Sequence, residues 1–292
     1  MSFSAYSAMF LDFKREELKY STFYKYEQII KSRLLPFFKD MEIEDIKPSD
    51  LKKWLYSVSD VGTKSKKHYL GVLSGIFNEA LLDEVIQRNP VKLIRALKYD
   101  KPTIKPFTAD EVRLIMNNAP DNNFKYYLAI AFYTGMRSGE IVGLKKRDID
   151  FKDGLINIER SRSRFGESTP KTKYSMRQVP IIKLLEPYLL ELYDKHDNEY
   201  LFITQYNKPY RDTNVFVNQY WIPILKDLKI EYRRPYNTRH TYATNMLYNK
   251  IVAPVELACL LGHSNTEMVY NVYVSYIETN HKNFDRSIAI YK

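Results

Sequence analysis

The sequence predicts a mainly α-helical protein with a small antiparallel β-sheet, divided into two domains. Apolar residues recur at helical spacing through residues 1–98. Residues 99–106 contain two prolines and mixed charge without periodicity, which is typical of a linker. In residues 107–292, short alternating segments near 149–158 and 177–182 indicate strands, and most of the rest favours helix. We therefore expect a helical first domain, a linker, and a second domain that contains the sheet.

The first domain contains three recognisable helix starts, at Ser21, Ser49 and Thr63. Three lysines lie in the first turns of the helix that Thr63 starts: Lys64, Lys66 and Lys67. Backbone N–H groups at a helix N-terminus favour phosphate, so we assign these lysines to binding of a nucleic-acid backbone. The alternative is an ordinary solvated surface.

The second domain begins with a clear helix start. Thr108 and the glutamate three residues later have the spacing of a capping box. A buried helix is predicted from 124 to 134, ended by Gly135, and Asp153-Gly154 predicts the turn of a hairpin.

The composition favours a polyanionic partner. The formal net charge is +10, and 45% of residues are hydrophobic, which allows a packed core. Such an excess of positive charge favours nucleic acid first and an anionic membrane surface second. A basic protein without such a partner is the alternative, and we attribute most of the 25 tyrosines to composition rather than to base stacking.

Other features exclude several classes of protein. The single cysteine, Cys259, rules out a disulfide framework and a cysteine-based zinc site within one chain, and its apolar surroundings predict a buried side chain. We find no signal-peptide pattern, and the most apolar stretch, 126–133, is too short to span a bilayer. We expect a soluble cytoplasmic protein without a membrane partner, a nucleotide-binding P-loop, a metal or another cofactor.

A cationic turn follows the helix that ends at Gly135. Arg137 lies just before a new helix, where a guanidinium can contact two non-bridging phosphate oxygens. Taken alone, Arg137 is more simply a surface arginine. Glu140 could hold this guanidinium, or could be an ordinary first-turn glutamate favoured by the helix dipole.

Two further basic segments follow. Thr238 is a natural N-cap, which places Arg239 and His240 at a helix N-terminus suited to phosphate. His263 follows Gly262, which we expect to end one helix, and a capping-box pattern begins at the next residue. A lone histidine here is usually structural, and no second histidine at metal spacing accompanies it.

Three tyrosines follow His263 at three-residue steps: Tyr270, Tyr273 and Tyr276. Such residues are roughly 60° apart around a helix, so only one of them can face a given phosphate. A tyrosine at helical spacing normally belongs to the core, and we assign Tyr270 to it.

Taken in order, these strings resemble the tyrosine recombinase family, which includes phage integrases and Xer-type recombinases. The matching strings are Arg137-Ser-Gly-Glu140, Arg239-His-Thr-Tyr-Ala-Thr, Leu-Gly-His263-Ser and Tyr273. The resemblance covers the C-terminal two-thirds by motif and the N-terminal third by architecture. It implies a two-domain clamp on duplex DNA, with a helical core-binding (SAM-like) domain at 1–98 and an α+β catalytic domain at 107–292.

The resemblance also implies roles for individual residues. Arg137, Arg239 and His263 would hold a phosphodiester, and Tyr273 would attack it to give a 3′-phosphotyrosine link. Lys171, in a predicted hairpin loop, would donate a proton to the leaving 5′-oxygen. Lys173 is the competitor for that role, and we otherwise assign it to DNA binding.

One position departs from the family pattern. Where the family usually has His-x-x-Arg, this chain has Tyr236 before Arg239. A phenol can hydrogen-bond a phosphate oxygen but has no positive charge near neutral pH. We include Tyr236 in the catalytic set and expect His240 to be a structural neighbour of that set.

The family implies a site-specific recombinase or integrase that acts as a tetramer on two double-stranded DNA sites, without metal or ATP, at the nucleoid. It leaves open accessory DNA-bending proteins as a further class of partner. Two alternatives remain: a catalytically impaired DNA-binding relative, because of Tyr236, and an enzyme similar to type IB topoisomerases, which share this chemistry.

Overall fold

The computed structural model describes residues 1–99, 104–169 and 173–273, with the backbone alone described at Lys173 and at 271–273. The chain divides into two compact units, Met1–Pro102 and Thr103–Lys292, and the division falls inside the predicted linker. The predicted class, mainly α with a small antiparallel sheet, is confirmed.

The first unit is helical, and an aromatic core holds its helices together. Phe38 contacts both Phe3 and Trp54, with ring centroids 5.3 and 5.7 Å apart. A π-helical turn, Ile30–Leu34, joins the second helix to the third. The helices are α1 (Phe3–Glu17), α2 (Tyr20–Ile29), α3 (Leu35–Phe38), α4 (Pro48–Ser57) and α5 (Thr63–Leu82).

Two predictions for this unit need correction. Helix α1 lies in the range predicted to be helical, but its start was not recognised, although Ser2 caps it and its buried residues Phe3, Tyr6 and Phe10 have helical spacing. The helix predicted to have Ser21 as its N-cap begins two residues earlier, at Tyr20, with Lys19 at the N-cap position.

The second unit combines helices with two small sheets. Strands β1, β2 and β5 form an antiparallel sheet in the order β1-β2-β5, and β3 pairs with β4 in a separate hairpin. The strands are β1 (Ile149–Asp150), β2 (Leu155–Ile158), β3 (Ser161–Ser163), β4 (Gly166–Ser168) and β5 (Arg177–Pro180). The helices are α6 (Ala109–Asn117), α7 (Asn123–Thr134), α8 (Ser138–Ile141), α9 (Glu186–Asp194), α10 (Asn214–Phe216), α11 (Ile222–Asp227), α12 (Asn237–Tyr248), α13 (Pro254–Leu261) and α14 (Glu267–Tyr273).

The predicted start of this unit is confirmed. Thr108 Oγ1 accepts a hydrogen bond from the Glu111 backbone N–H (3.1 Å), and the Glu111 carboxylate accepts one from the Thr108 N–H (2.8 Å). Helix α7 is buried on most of its surface and ends at Gly135, whose φ of +63° is left-handed. Glycine adopts this conformation without strain, so the chain can turn sharply into the segment that carries Arg137.

Three local predictions were wrong in this unit. Cys259 is exposed, because the buried face of α13 is formed by Leu257, Ala258 and Leu261. Thr238 is not an N-cap, since its hydroxyl donates to the Pro235 carbonyl (2.9 Å) and α12 has already begun. The capping box expected to begin directly after His263 does not start a helix there, since α14 begins at Glu267.

Within the described ranges, no helix has both the length and the apolar character that crossing a membrane requires.

Candidate active site

Three consecutive carbonyl groups at the C-terminal end of α13 bind three arginines that are far apart in the sequence. The last carbonyls of a helix lack intrahelical partners and carry partial negative charge, so guanidinium groups satisfy and stabilise them. The pairs are Arg177 Nε to Leu260 O (2.6 Å), Arg239 Nη2 to Leu261 O (2.6 Å) and Arg137 Nη2 to Gly262 O (3.4 Å).

Gly262 makes this convergence sterically feasible. It ends α13 in the left-handed region, with φ of +67°, as the sequence predicted. A Cβ at this position would lie 3.0 Å from Arg177 Nη1 and 3.0 Å from the Tyr174 carbonyl oxygen. Both the backbone conformation and the close approach therefore require glycine.

Glu140 orients Arg137. Its carboxylate accepts hydrogen bonds from the Arg137 backbone N–H (2.9 Å) and from Arg137 Nη1 (2.7 Å). The Glu140 side chain is 2% exposed, whereas that of Arg137 is 33% exposed. Burial alone would raise the pKa of Glu140, but the hydrogen bond and charge of Arg177, together with Arg137, bring it below its ordinary value. Glu140 therefore stays ionised and fixes one edge of a guanidinium that reaches solvent.

Arg177 also belongs to this cluster, although the alternating pattern at 177–182 predicted only that it lies in a strand. Its guanidinium pairs with both oxygens of Glu140, Nη1 to Oε1 at 3.2 Å and Nη2 to Oε2 at 3.0 Å. One feature of the sequence could have indicated this role. Arg177 lies two residues before Val179, hence on the same face of β5, and Val179 is fully buried. An arginine on the inner face of a strand requires a buried partner.

Arg239 is buried beneath the turn that follows α7. Its side chain is 1% exposed, and Nη1 donates to the Gly135 carbonyl oxygen at 2.9 Å. Burial lowers the pKa of Arg239 to about 10, so the guanidinium remains protonated at neutral pH. It is thus a fixed positive charge held by the ends of two helices, α7 and α13.

His263 lies against Arg239, with 3.0 Å between its Nε2 and Arg239 Nη2. A guanidinium has only donors, so Nε2 accepts and a neutral ring carries its proton on Nδ1. Nδ1 is buried and has no hydrogen-bond partner among the described residues. Burial, followed by the charge of Arg239, lowers the pKa of His263 to about 4. His263 is therefore neutral near pH 7.

Tyr236 and His240 adjoin the same arginine. Tyr236 precedes α12 and is 44% exposed, and its ring meets that of His240 edge-on at 5.0 Å. Burial, and then the charge of Arg239, lower the pKa of His240 to about 4. His240 therefore contributes a neutral ring behind Tyr236.

The structure brings six of the predicted residues together: Arg137, Glu140, Tyr236, Arg239, His240 and His263. Lys171 lies outside the described residues. The backbone of Lys173 lies in the short 3₁₀ turn Lys173–Ser175 before β5, and the backbone of Tyr273 ends α14. Tyr270 was wrongly assigned to the core: it is 50% exposed, whereas its neighbour Val269 is buried.

The three lysines predicted to bind a nucleic-acid backbone differ in the first unit. Lys64 and Lys67 are exposed at the start of α5. Lys66 is partly buried and donates to the Leu55 carbonyl at 2.9 Å, near the end of α4. Lys66 therefore has a structural contact, and the assignment of these lysines to nucleic-acid binding stays a prediction.

Two protein-family models match the chain. A model described as the phage integrase family matches residues 105–279, which is more than half of the chain. The chain belongs to the phage integrase family. A second model of this integrase architecture, the N-terminal SAM-like domain, matches residues 2–58. The resemblance drawn from the motifs is therefore confirmed.

Curated relatives of this integrase-family chain include a putative prophage phiRv2 integrase of Mycobacterium tuberculosis, 30% identical over 207 residues. That match covers 68% of this chain and 55% of the relative, so the chain spans about half of the relative's length. A tyrosine recombinase XerC-like protein of Caldanaerobacter subterraneus is 28% identical over 303 residues, covering 90% of this chain and 76% of the relative.

Solved integrase structures share the fold. The Tn1549 transposon integrase in complex with a circular intermediate DNA matches with a TM-score of 0.81 at 20% identity, over 94% of this chain and 95% of that chain. A lambda integrase tetramer bound to a Holliday junction matches with a TM-score of 0.75 at 22% identity, over 91% of this chain and 78% of that chain.

Proposed function

We propose that this member of the phage integrase family is a site-specific DNA recombinase that cleaves and rejoins duplex DNA through a 3′-phosphotyrosine intermediate. The observation that carries the proposal is the convergence of Arg137, Arg239 and His263 at the end of α13. Two fixed cations and a titratable ring, just before the helix that contains Tyr273, are suited to stabilising charge on a phosphodiester.

Arg137 is the first contact for the scissile phosphate. Its guanidinium reaches solvent while Glu140 fixes Nη1. The remaining N–H groups present donors in a planar fork that matches two non-bridging phosphate oxygens. An arginine held this way loses little side-chain entropy when the phosphate binds.

Arg239 and His263 receive the phosphate together. A non-bridging oxygen replaces His263 Nε2 as the acceptor for Arg239 Nη2, at the position of their present hydrogen bond. A negative charge beside the ring raises the pKa of His263, because an opposite charge favours the protonated form. The protonated ring then donates from Nε2 to the phosphate, so Nε2 changes from acceptor to donor when DNA binds.

Tyr273 is the nucleophile that the family resemblance assigns. Its oxygen forms a bond to phosphorus, the bond from phosphorus to the 5′-oxygen breaks, and Lys171 gives the leaving oxygen its proton. The phenol proton passes to solvent. The phosphodiester is exchanged for a phosphotyrosine ester of similar energy, so attack by a 5′-hydroxyl reverses the step without nucleotide hydrolysis.

Assembly follows by analogy with relatives of the same fold. The lambda integrase structure is of a tetramer bound to a Holliday junction. We propose the same assembly here, with four copies on two double-stranded DNA sites in the cytoplasm at the nucleoid. Residues 1–98 would act as the core-binding domain and residues 107–292 as the catalytic domain.

A second candidate is a DNA-binding relative with an impaired site. Two observations favour it: Tyr236 supplies no charge where the family has histidine, and the Arg239 side chain is only 1% exposed. Such a protein would bind DNA in a salt-dependent manner without cleaving it.

The test is formation of a covalent protein–DNA adduct. Nicked suicide duplexes tiled across the DNA flanking the gene are mixed with wild type, Tyr273→Phe and Tyr270→Phe, and then separated in a denaturing gel. Tyr270 is a matched control, an exposed tyrosine on the same helix. We expect an adduct that only Tyr273→Phe abolishes.

Loss in Tyr270→Phe alone would move the nucleophile by three residues. Binding without any adduct would favour the impaired relative. Site-independent relaxation of supercoiled DNA by a monomer would favour an enzyme similar to type IB topoisomerases.

A further inference from the structure

Arg177 occupies the centre of a three-way junction in the second unit. Nη1 and Nη2 pair with the two oxygens of Glu140 at 3.2 and 3.0 Å, and Nε donates to the Leu260 carbonyl at 2.6 Å. Nη1 also donates to the Ser175 carbonyl at 3.1 Å. A single buried side chain therefore connects β5, α8 and the end of α13.

The charges at this junction determine whether the Arg137 guanidinium remains available to bind a phosphate. Glu140 is buried and ionised, and Arg137 and Arg177 both pair with it. A buried carboxylate needs a close positive partner, and Arg177, itself only 6% exposed, supplies one inside the protein. Without Arg177 the whole charge of Glu140 would act on Arg137 and draw its guanidinium away from an incoming phosphate. With Arg177 present, Arg137 is oriented by Glu140 without being neutralised by it.

Through its contact with the Leu260 carbonyl, Arg177 also influences the positions of Arg239 and His263. Leu260 precedes Leu261, whose carbonyl accepts from Arg239, and His263 follows within the same turn. Because Gly262 leaves no room for a Cβ between this turn and Arg177, displacing Arg177 opens a gap directly beneath it. The positions of Arg239 and His263 therefore depend on Arg177 as well.

We infer that Arg177 is a positioning residue for DNA strand cleavage, which holds Arg137 through Glu140 and holds Arg239 and His263 through the carbonyl end of α13. Its described hydrogen bonds go to Glu140 and to the Ser175 and Leu260 carbonyls, so its effect on cleavage passes through other residues. The inference rests on the proposed function, since cleavage is the reaction whose rate it sets.

The test compares Arg177→Met and Arg177→Lys with Arg160→Met. Arg160 is a matched control: its side chain is 7% exposed and is paired with Asp148, which is 2% exposed, outside the α13 cluster. Single-turnover cleavage of a suicide duplex is measured at saturating DNA, with the dissociation constant and the urea unfolding curve measured separately. The amplitude reports the folded fraction, and the rate constant reports the geometry of the site.

For Arg177→Met we expect a fall in the rate constant on the order of 30- to 100-fold, as displaced catalytic groups produce, with the dissociation constant within about threefold of wild type. Arg177→Lys should recover only part of the rate, because an ammonium keeps the charge but cannot span Glu140 and Leu260 together. Adding Glu140→Gln to Arg177→Met should slow cleavage by less than the product of the two single effects, because one acts through the other. Arg160→Met should lose stability and keep its rate constant.

A second measurement does not depend on cleavage. The Nε–H signals of Arg137 and Arg239 are followed by NMR in the DNA-free protein, with assignments from lysine variants. We expect faster exchange with water at both signals in Arg177→Met and no change in Arg160→Met. Unchanged signals, or a wild-type rate constant with only a lower amplitude, would overturn the inference. A wild type that binds DNA without forming an adduct refutes the proposed function instead, and the NMR signals then decide the positioning role.

Discussion

Arg239 donates a hydrogen bond to His263 across 3.0 Å, so in the absence of DNA the ring faces the arginine as an acceptor. In the proposed mechanism, the same ring donates a hydrogen bond to the phosphate when DNA is bound. On this proposal, His263 is neutral without DNA and gains a proton when DNA binds. This change leads to two predictions about protonation.

The first prediction concerns stability and pH. The pKa of His263 is held near 4 against an ordinary 6.5, and His240 is displaced to the same value. Between pH 4 and pH 6.5 the two histidines bind protons in the unfolded chain but not in the folded chain. Their contribution to the free energy of unfolding is therefore fully present above pH 6.5 and is lost as the pH falls toward 4. Because both rings are half-buried, we expect the free energy of unfolding to fall by about 1–2 kcal/mol over this window. Urea unfolding at several pH values measures this dependence. In the double variant His240→Gln/His263→Gln, the free energy of unfolding should change much less with pH. Equal slopes in the two proteins would contradict the assignment.

The second prediction concerns proton uptake on DNA binding. If a phosphate raises the pKa of His263, the complex formed near pH 6 takes up a proton that free protein and free DNA do not carry. Calorimetry of Tyr273→Phe with its duplex, in buffers of different ionisation enthalpy, measures this uptake without cleavage. Tyr273→Phe/His263→Gln is the control and should show less uptake, by roughly one proton per site. Equal uptake in both proteins would show that another group titrates.

Much of this site could be predicted from the sequence because its residues lie at helix ends, and short sequence motifs indicate where those helices end. Gly135 and Gly262 end helices in the left-handed conformation, and Arg137 and His263 follow these turns directly. What could not be predicted depends on which face of an element is buried. The spacing of Arg177 and Val179 on β5 indicates that Arg177 has a buried partner, but only the fold identifies that partner as Glu140. Helix α13 is so uniformly apolar that the exposure of Cys259 could not be predicted from its sequence.

The third prediction concerns Gly139, where α8 approaches β3. A Cβ at this position would lie 2.6 Å from Ser161 Oγ and 2.7 Å from the Arg162 carbonyl oxygen. Gly139→Ala must push β3 away or shift the α8 turn that holds Arg137, and we expect about 1–3 kcal/mol of destabilisation together with slower cleavage. Gly71→Ala is the contrast, since nothing lies within 4 Å of its Cβ in the middle of α5. It should be stabilising by about 0.5–1 kcal/mol. Chemical unfolding measures the stability of both variants. If Gly139→Ala is as stable as wild type, β3 can move away from α8 at little energetic cost.

The fourth prediction concerns the departure at Tyr236. Its ring packs edge-on against His240 at 5.0 Å and is 44% exposed, so a side chain here lies close to Arg239 and stays open to solvent. Tyr236→Phe removes the hydroxyl that could bind a phosphate oxygen, and we expect it to slow adduct formation by about 10-fold, the value of one hydrogen bond to a charged group. Tyr236→His restores a ring that can carry positive charge beside the phosphate, so it should match or exceed wild type, with the advantage growing as pH is lowered through the histidine range. Rates of adduct formation between pH 6 and 8 separate the two variants. If Tyr236→Phe cleaves as fast as wild type, the hydroxyl takes no part, and Arg137, Arg239 and His263 stabilise the phosphate charge without it.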